Sequence, residues 1–162
     1  MGKISTEIKW ALIFVVTSLT WVTAEKLAGM HDEHIDVHML TTSLFAIPAL
    51  LIYVLALLEK RKKSFGGFMT YKQGFLSGMI ITLIITALSP VSQVIKSLVI
   101  TPDYFANMIQ YTVDHGLLLP EDAAAEFNLT RYIKGSIFGA FFMGTITAAI
   151  LAFFTKKLPN GQ

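Results

Sequence analysis

The sequence predicts an all-α integral membrane protein with four transmembrane helices, both ends in the cytoplasm, and a short amphipathic helical hairpin in the outer loop between spans three and four. Three observations lead there. Apolar residue types make up 54% of the 162 residues without glycine, whereas soluble domains reach roughly 45–50% only with glycine counted. Four stretches are long enough to cross a hydrocarbon core about 30 Å thick, which takes about 20 helical residues. The basic residues fall mostly to one side of those stretches. A chain of this length holds one unit, so residues 1–162 are read as a single membrane domain.

The first span is expected over residues 9–27, "KWALIFVVTSLTWVTAEKL", and the second over 38–58, "HMLTTSLFAIPALLIYVLALL". The third runs over 74–100 with Pro90 inside it, and the fourth over 132–154. In hydrocarbon every backbone amide needs an internal partner, so each span is read as a helix. Thr70 and Gln73 in "TYKQG" have capping-box spacing ahead of the third span. Trp10 and Tyr132 fit the amphipathic belts at opposite membrane faces. A cleaved signal peptide is the rival reading of the N-terminus, with basic "MGK" and small "VTA" around an apolar run. Glu7 and the bulky Trp10 and Trp21 weigh against it. "MGKIST" also fits a loose myristoylation pattern, which adds little to a chain that already spans.

Basic residues set the orientation. With the N-terminus inside, Lys3, Lys9, Lys60, Arg61, Lys62, Lys63, Lys72, Lys156 and Lys157 are cytoplasmic, nine of thirteen. Lys26, Lys96, Arg131 and Lys134 fall outside. That is the positive-inside pattern for four spans. The basic loop 59–73 suits anionic headgroups, with Lys60, Arg61, Lys62 and Lys63 as the contacts and about 1 kcal/mol for each cation near the surface.

The outer loop, 101–131, opens with Thr101 as helix cap, Pro102 in the first position and Asp103 at the positive dipole end. Phe105, Met108, Ile109, Thr112 and Val113 recur at helical spacing and make one mostly apolar face. Gly116 suits a stop, Pro120 restarts a short helix, and Asn128 suits its end. Asn128-Leu129-Thr130 is a glycosylation sequon that matters only in a pathway that glycosylates.

Three groups of residues are candidate sites. "HDEHIDVH" holds His31, His34 and His38, which share one face if the stretch is helical. Imidazoles one turn apart can chelate zinc, nickel or copper. The competing reading makes Asp32 a cap for the second helix, with Glu33 and Asp36 in its acidic first turn. On the third span Ser89, Gln93 and Lys96 stack four and three residues apart, beside a kink expected where Pro90 removes the amide partner of the Thr86 carbonyl. Glu25 ends the first span at a comparable depth, so Glu25 and Lys96 are expected to face each other across an outward-open polar cleft. The bland alternative is a lysine that snorkels to water. Finally, Gly135, Gly139, Ala140, Gly144 and Ala148 form a strip of small residues on the fourth span, and Gly74 and Gly78 repeat it on the third. Such strips allow close helix packing, within the bundle or between protomers.

"HDEHIDVHMLTTSLFAIPALLIYVLAL", "MTYKQGF", "LSPVSQ" and "TPDYF" together resemble domain-of-unknown-function family 4199, uncharacterised bacterial four-span membrane proteins. The resemblance covers nearly the whole chain and implies four spans in a bacterial inner membrane. It implies no activity, ligand or catalytic residue.

Composition narrows function by exclusion. A net charge of +2 does not suggest a nucleic-acid binder, and the absence of cysteine removes disulfides, thiolate zinc sites and cysteine nucleophiles. No phosphate-binding loop, GxSxG or pair of acids at one depth points to an enzyme. The expected function is therefore a non-catalytic binding, scaffold or accessory envelope protein. Its expected partners are the lipid bilayer, a second copy or other membrane proteins. The alternatives are a small oligomeric transporter or channel subunit using the polar stripe of span three, and an outer-face protein that binds or depends on metal. No cofactor is expected apart from the divalent ion that the histidine cluster admits.

Overall fold

A computed structural model describes residues 4–159. Four of its helical stretches are long and apolar enough to cross a membrane: Ser5–Leu27, Ile35–Ser64, Tyr71–Ile100 and Leu129–Thr155. Lys3 and the start of the myristoylation pattern lie outside the described residues. The first stretch is helix α1, Ser5–Leu27. Gly29, at φ +74°, ends it in a Schellman motif. The Gly29 amide donates to the Lys26 carbonyl at 2.9 Å and the Met30 amide to the Glu25 carbonyl at 3.0 Å, satisfying carbonyls that the helix end leaves free.

The second stretch is not one helix, contrary to expectation. It runs as a 3-10 turn over Ile35–Val37, then α2 over His38–Ser43 and α3 over Ala46–Ser64. Pro48 accounts for the break, because it lacks an amide hydrogen and its ring crowds the carbonyl of Leu44, four residues back. The backbone tightens there: Leu44, Phe45 and Ile47 amides donate to Thr41, Thr42 and Leu44 carbonyls at 3.0, 3.1 and 3.1 Å.

Helix α4, Tyr71–Ile95, starts with the expected capping box. The Gln73 amide donates to the Thr70 hydroxyl at 3.3 Å, and the Thr70 amide to the Gln73 side chain at 2.9 Å. Pro90 is carried inside the helix. The Ser89 hydroxyl donates at 2.9 Å to the Thr86 carbonyl, the acceptor whose amide partner the proline removes. The helix then widens into a π turn over Lys96–Ile100. Both the amide and the hydroxyl of Thr101 donate to the Lys96 carbonyl, at 2.8 and 2.9 Å. Thr101 therefore closes the third span instead of capping the next helix, and α5 begins later, over Tyr104–Asp114. Gly116, at φ +64°, turns the chain. Pro120 opens α6, Pro120–Glu126. Asn128 serves two helices. Its amide donates to the Ala124 and Ala125 carbonyls, and its oxygen accepts from the Arg131 amide at the start of α7, Leu129–Thr155.

Helices α4 and α7 make the largest contact in the bundle, and small residues permit it. A Cβ on Gly78 would lie 2.7 Å from that of Ala148, and one on Gly144 would lie 2.6 Å from Thr82 Cγ2. Gly74 fits against Ala152 in the same way, at 3.3 Å. Gly135 and Gly139 differ, with nothing within 4 Å of the same position. The GxxxG pair expected to pack is thus uncovered, and Ala140 is only partly buried. The core beside this contact is built from Ala11, Tyr53, Ala56, Ile81, Ile85 and Ala148, with the Tyr53 hydroxyl 2.9 Å from that of Thr82.

Charges fasten the lysine-rich end. Glu7 is buried, and its carboxylate lies 2.7 Å from the Lys60 ammonium and accepts from the Ser77 hydroxyl at 2.8 Å. Glu59 accepts from Lys9, from Lys63 and, at 2.8 Å, from the Trp10 indole. Arg61 donates to the Thr155 carbonyl at 2.8 Å. Met69 and Lys157 exchange backbone bonds of 2.8 and 2.9 Å, tying the loop before α4 to the end of α7. This corrects the headgroup reading for Lys60. Lys60 continues the buried stripe Ile52, Tyr53, Ala56, Leu57 of α3 and points inward. Lys62 and Lys63 remain exposed.

Candidate metal centre and interhelical cavity

The buried face of α1 includes Glu7, Ala11, Ser18 and Glu25, so helical spacing carries one acid inward near each end. The Glu25 side chain is only 5% exposed. Its Oε1 accepts from the Trp21 indole, one turn back, at 2.9 Å and from the Thr42 hydroxyl of α2 at 2.8 Å. Its Oε2 has no hydrogen-bond partner among the described residues and lies 3.8 Å from His31 Nε2.

The Gly29 turn folds the chain back so that His31, 4% exposed, sits beside Glu25. His38 opens α2, and its ring centroid is 4.6 Å from that of His31. The Tyr104 ring of α5 packs on both imidazoles, at 5.3 and 4.9 Å. One turn later, Asn107 donates to the His31 carbonyl at 2.9 Å and to the Asp32 carboxylate. Burial first, and His38 second, push His31 down to about 4, so its imidazole is neutral at neutral pH and keeps a nitrogen lone pair. Glu25, His31 and His38 each present one ligand atom, all within 4.8 Å of one another.

This set corrects the expected His31, His34 and His38. Residues 31–34 form turns and not a helix, so spacing by three does not place His34 with the others. His34 is exposed beside Gly29. Asp32 caps no helix and accepts from Asn107 instead. His115 packs on Tyr111 at 4.2 Å and takes no part. The readable signal for Glu25 was its place on the buried face of α1.

A cavity of about 410 Å³ lies between α1, α3, α4 and α7. Phe14, Phe45, Tyr53 and Ile85 give it apolar walls, and Ser89, Gln93 and Lys96 line it from α4. The polar stripe read on the third span therefore does converge on one space. Ser89 is engaged with Thr86, and the Gln93 amide donates to the Ser97 hydroxyl at 3.0 Å. Among the described residues no hydrogen bond or ion pair holds the Lys96 ammonium, although Glu25 acts on it electrostatically. Glu25 does not line the cavity; its carboxylate is turned to Trp21, Thr42 and His31, and it acts on Lys96 electrostatically without a direct ion pair among the described residues. Leu50 of α3 and Met143 of α7 line the cavity and are 46% and 63% exposed. The mouth thus opens sideways between these two helices. Gly139 also lines it, and the missing side chain contributes the space.

A family model described as a protein of unknown function (DUF4199) matches residues 9–157. No curated protein and no solved structure matches the chain.

Proposed function

Because the chain belongs to the DUF4199 family of proteins of unknown function, we propose its role from its own geometry: a non-catalytic, multi-pass membrane protein that binds an anionic amphiphile in its interhelical cavity. It crosses a bacterial inner membrane four times with the lysine-rich end in the cytoplasm. The bias of basic residues supports this orientation.

One observation carries the reading. An apolar space of about 410 Å³ opens sideways and holds a single ammonium, Lys96, whose position is not fixed by hydrogen bonding. The volume is within the range of about 300–1,000 Å³ usual for small-molecule sites. The walls suit an acyl chain entering from the bilayer, and Lys96 suits a carboxylate or phosphate head through a charge-assisted bond. An ionisable side chain facing such a space inside a membrane protein is a functional candidate by default.

A spin-labelled fatty acid added to the protein in zwitterionic nanodiscs tests this. A motion-restricted signal is expected, displaced by unlabelled fatty acid and lost in Gly139→Leu, whose Cβ meets nothing within 4 Å and whose side chain takes up cavity space. Lys96→Gln should weaken the fatty acid and leave its neutral alcohol analogue unchanged. Equal binding by wild type and Gly139→Leu, or none by either, would overturn the reading.

A further inference from the structure

We propose that Glu25, His31 and His38 form a binding site for a divalent transition metal ion of the zinc class, at the end of the bundle opposite the buried Glu7–Lys60 pair. None of its three ligands lines the cavity.

Three segments converge there: the last turn of α1, the turn after Gly29 and the first turn of α2. Their ligand atoms lie within 4.8 Å of one another. Tetrahedral zinc with bonds near 2.0–2.1 Å spaces its ligand atoms about 3.3 Å apart, so small side-chain rotations close the set around an ion.

The unused valences point the same way. Glu25 Oε2 and His31 Nδ1 are buried and have no hydrogen-bond partner among the described residues. Buried polar atoms are ordinarily paired, and an orphan at a cluster of donors marks a missing partner. Oε1 of the same carboxylate is held by both Trp21 and Thr42, which fixes its plane and leaves Oε2 free. Outer-shell bonds of this kind orient the ligands of metal sites. The Thr42 hydroxyl proton goes to Glu25, so Thr42 can only accept from His38 Nδ1, 3.5 Å away. A metal bound through His38 Nε2 needs the proton on Nδ1, which Thr42 is placed to accept.

The donor set chooses the class of ion. Two imidazoles and one carboxylate suit zinc, cobalt or nickel, whereas magnesium and calcium take oxygen ligands. Three protein ligands leave one coordination position open. Lys26 acts on His31 from a distance, with Asp32 opposing it, and Lys96 lies within electrostatic reach of Glu25. The attraction therefore rests on coordination by nitrogen rather than on accumulated negative charge.

Cobalt and zinc titrations of the full chain in nanodiscs, stripped beforehand with chelator, test the site. Stoichiometric binding is expected, with the intense visible bands of four-coordinate cobalt, displaced by zinc and untouched by excess magnesium or calcium. Thr42→Val should weaken binding roughly 10–100-fold, as removing an outer-shell partner does. Glu25→Gln, His31→Ala and His38→Ala should each cost more. His34→Ala and His115→Ala should bind as wild type does. X-ray absorption of the zinc-loaded wild type should show histidine coordination, a readout that needs no variant to fold. No cobalt binding by wild type, retention of binding in Glu25→Gln with His31→Ala, or loss in His34→Ala would overturn the proposal.

Discussion

The Glu7 carboxylate lies 2.7 Å from the Lys60 ammonium with both side chains buried, 1% and 6% exposed. Breaking such a pair from one side strands a charge, at a cost of about 3–5 kcal/mol, whereas replacing both partners is far milder. Lys60→Met should therefore lower the thermal unfolding temperature sharply in detergent. Adding Glu7→Gln to it should restore most of the loss. Additive effects of the two changes would contradict a coupled pair.

The glycines of the third and fourth spans should separate into two groups. Gly78→Val and Gly144→Val drive side chains into Ala148 and Thr82, which already sit within 2.7 Å of a Cβ. Overpacking costs about 1–3 kcal/mol, visible as earlier unfolding. Gly135→Ala and Gly139→Ala meet open space and gain helix propensity, so they should hold or raise the unfolding temperature.

Ser89 and Pro90 should show coupling. Ser89→Ala removes the donor to the Thr86 carbonyl and should cost about 1 kcal/mol. With Pro90→Ala the backbone supplies an amide to that carbonyl, and the serine change should then be nearly silent. Urea or thermal unfolding of the four proteins in the cycle measures this.

The proposed orientation predicts opposite labelling of the two ends. A cysteine at His34 should react with an impermeant thiol reagent added outside intact cells, and one at Lys62 only after lysis. Both positions are exposed, and the chain has no cysteine of its own. Reaction of both from the same side would remove the four-span topology.

Much of the architecture was legible because hydrocarbon leaves a chain few options. The span positions follow from apolar length, and the Thr70–Gln73 box, the stop at Gly116 and the start at Pro120 follow from local backbone chemistry. Lys60 is the charge expected at the surface that lies inside instead. Glu7, Glu25 and Lys60 each continue a buried stripe on a helix, and the stripe decides where the side chain points. The histidine cluster misled because spacing by three and four implies one face only along an unbroken helix. Gly29, just ahead of it, reverses the chain and exchanges His34 for Glu25. Pro48 carried the same kind of signal for the second span. The cavity was not legible, because it depends on α3 standing away from Gly139, and no local pattern records that separation.

The Met69–Lys157 backbone exchange acts as a rivet. Together with the ion pairs around it, it binds the start of α4, the end of α7 and the lysine-rich end of α3 into one clasp. The histidine end is held differently, by the Asn107 side chain and the Tyr104–Tyr132 pair, so the two ends of the bundle are clasped by unlike means.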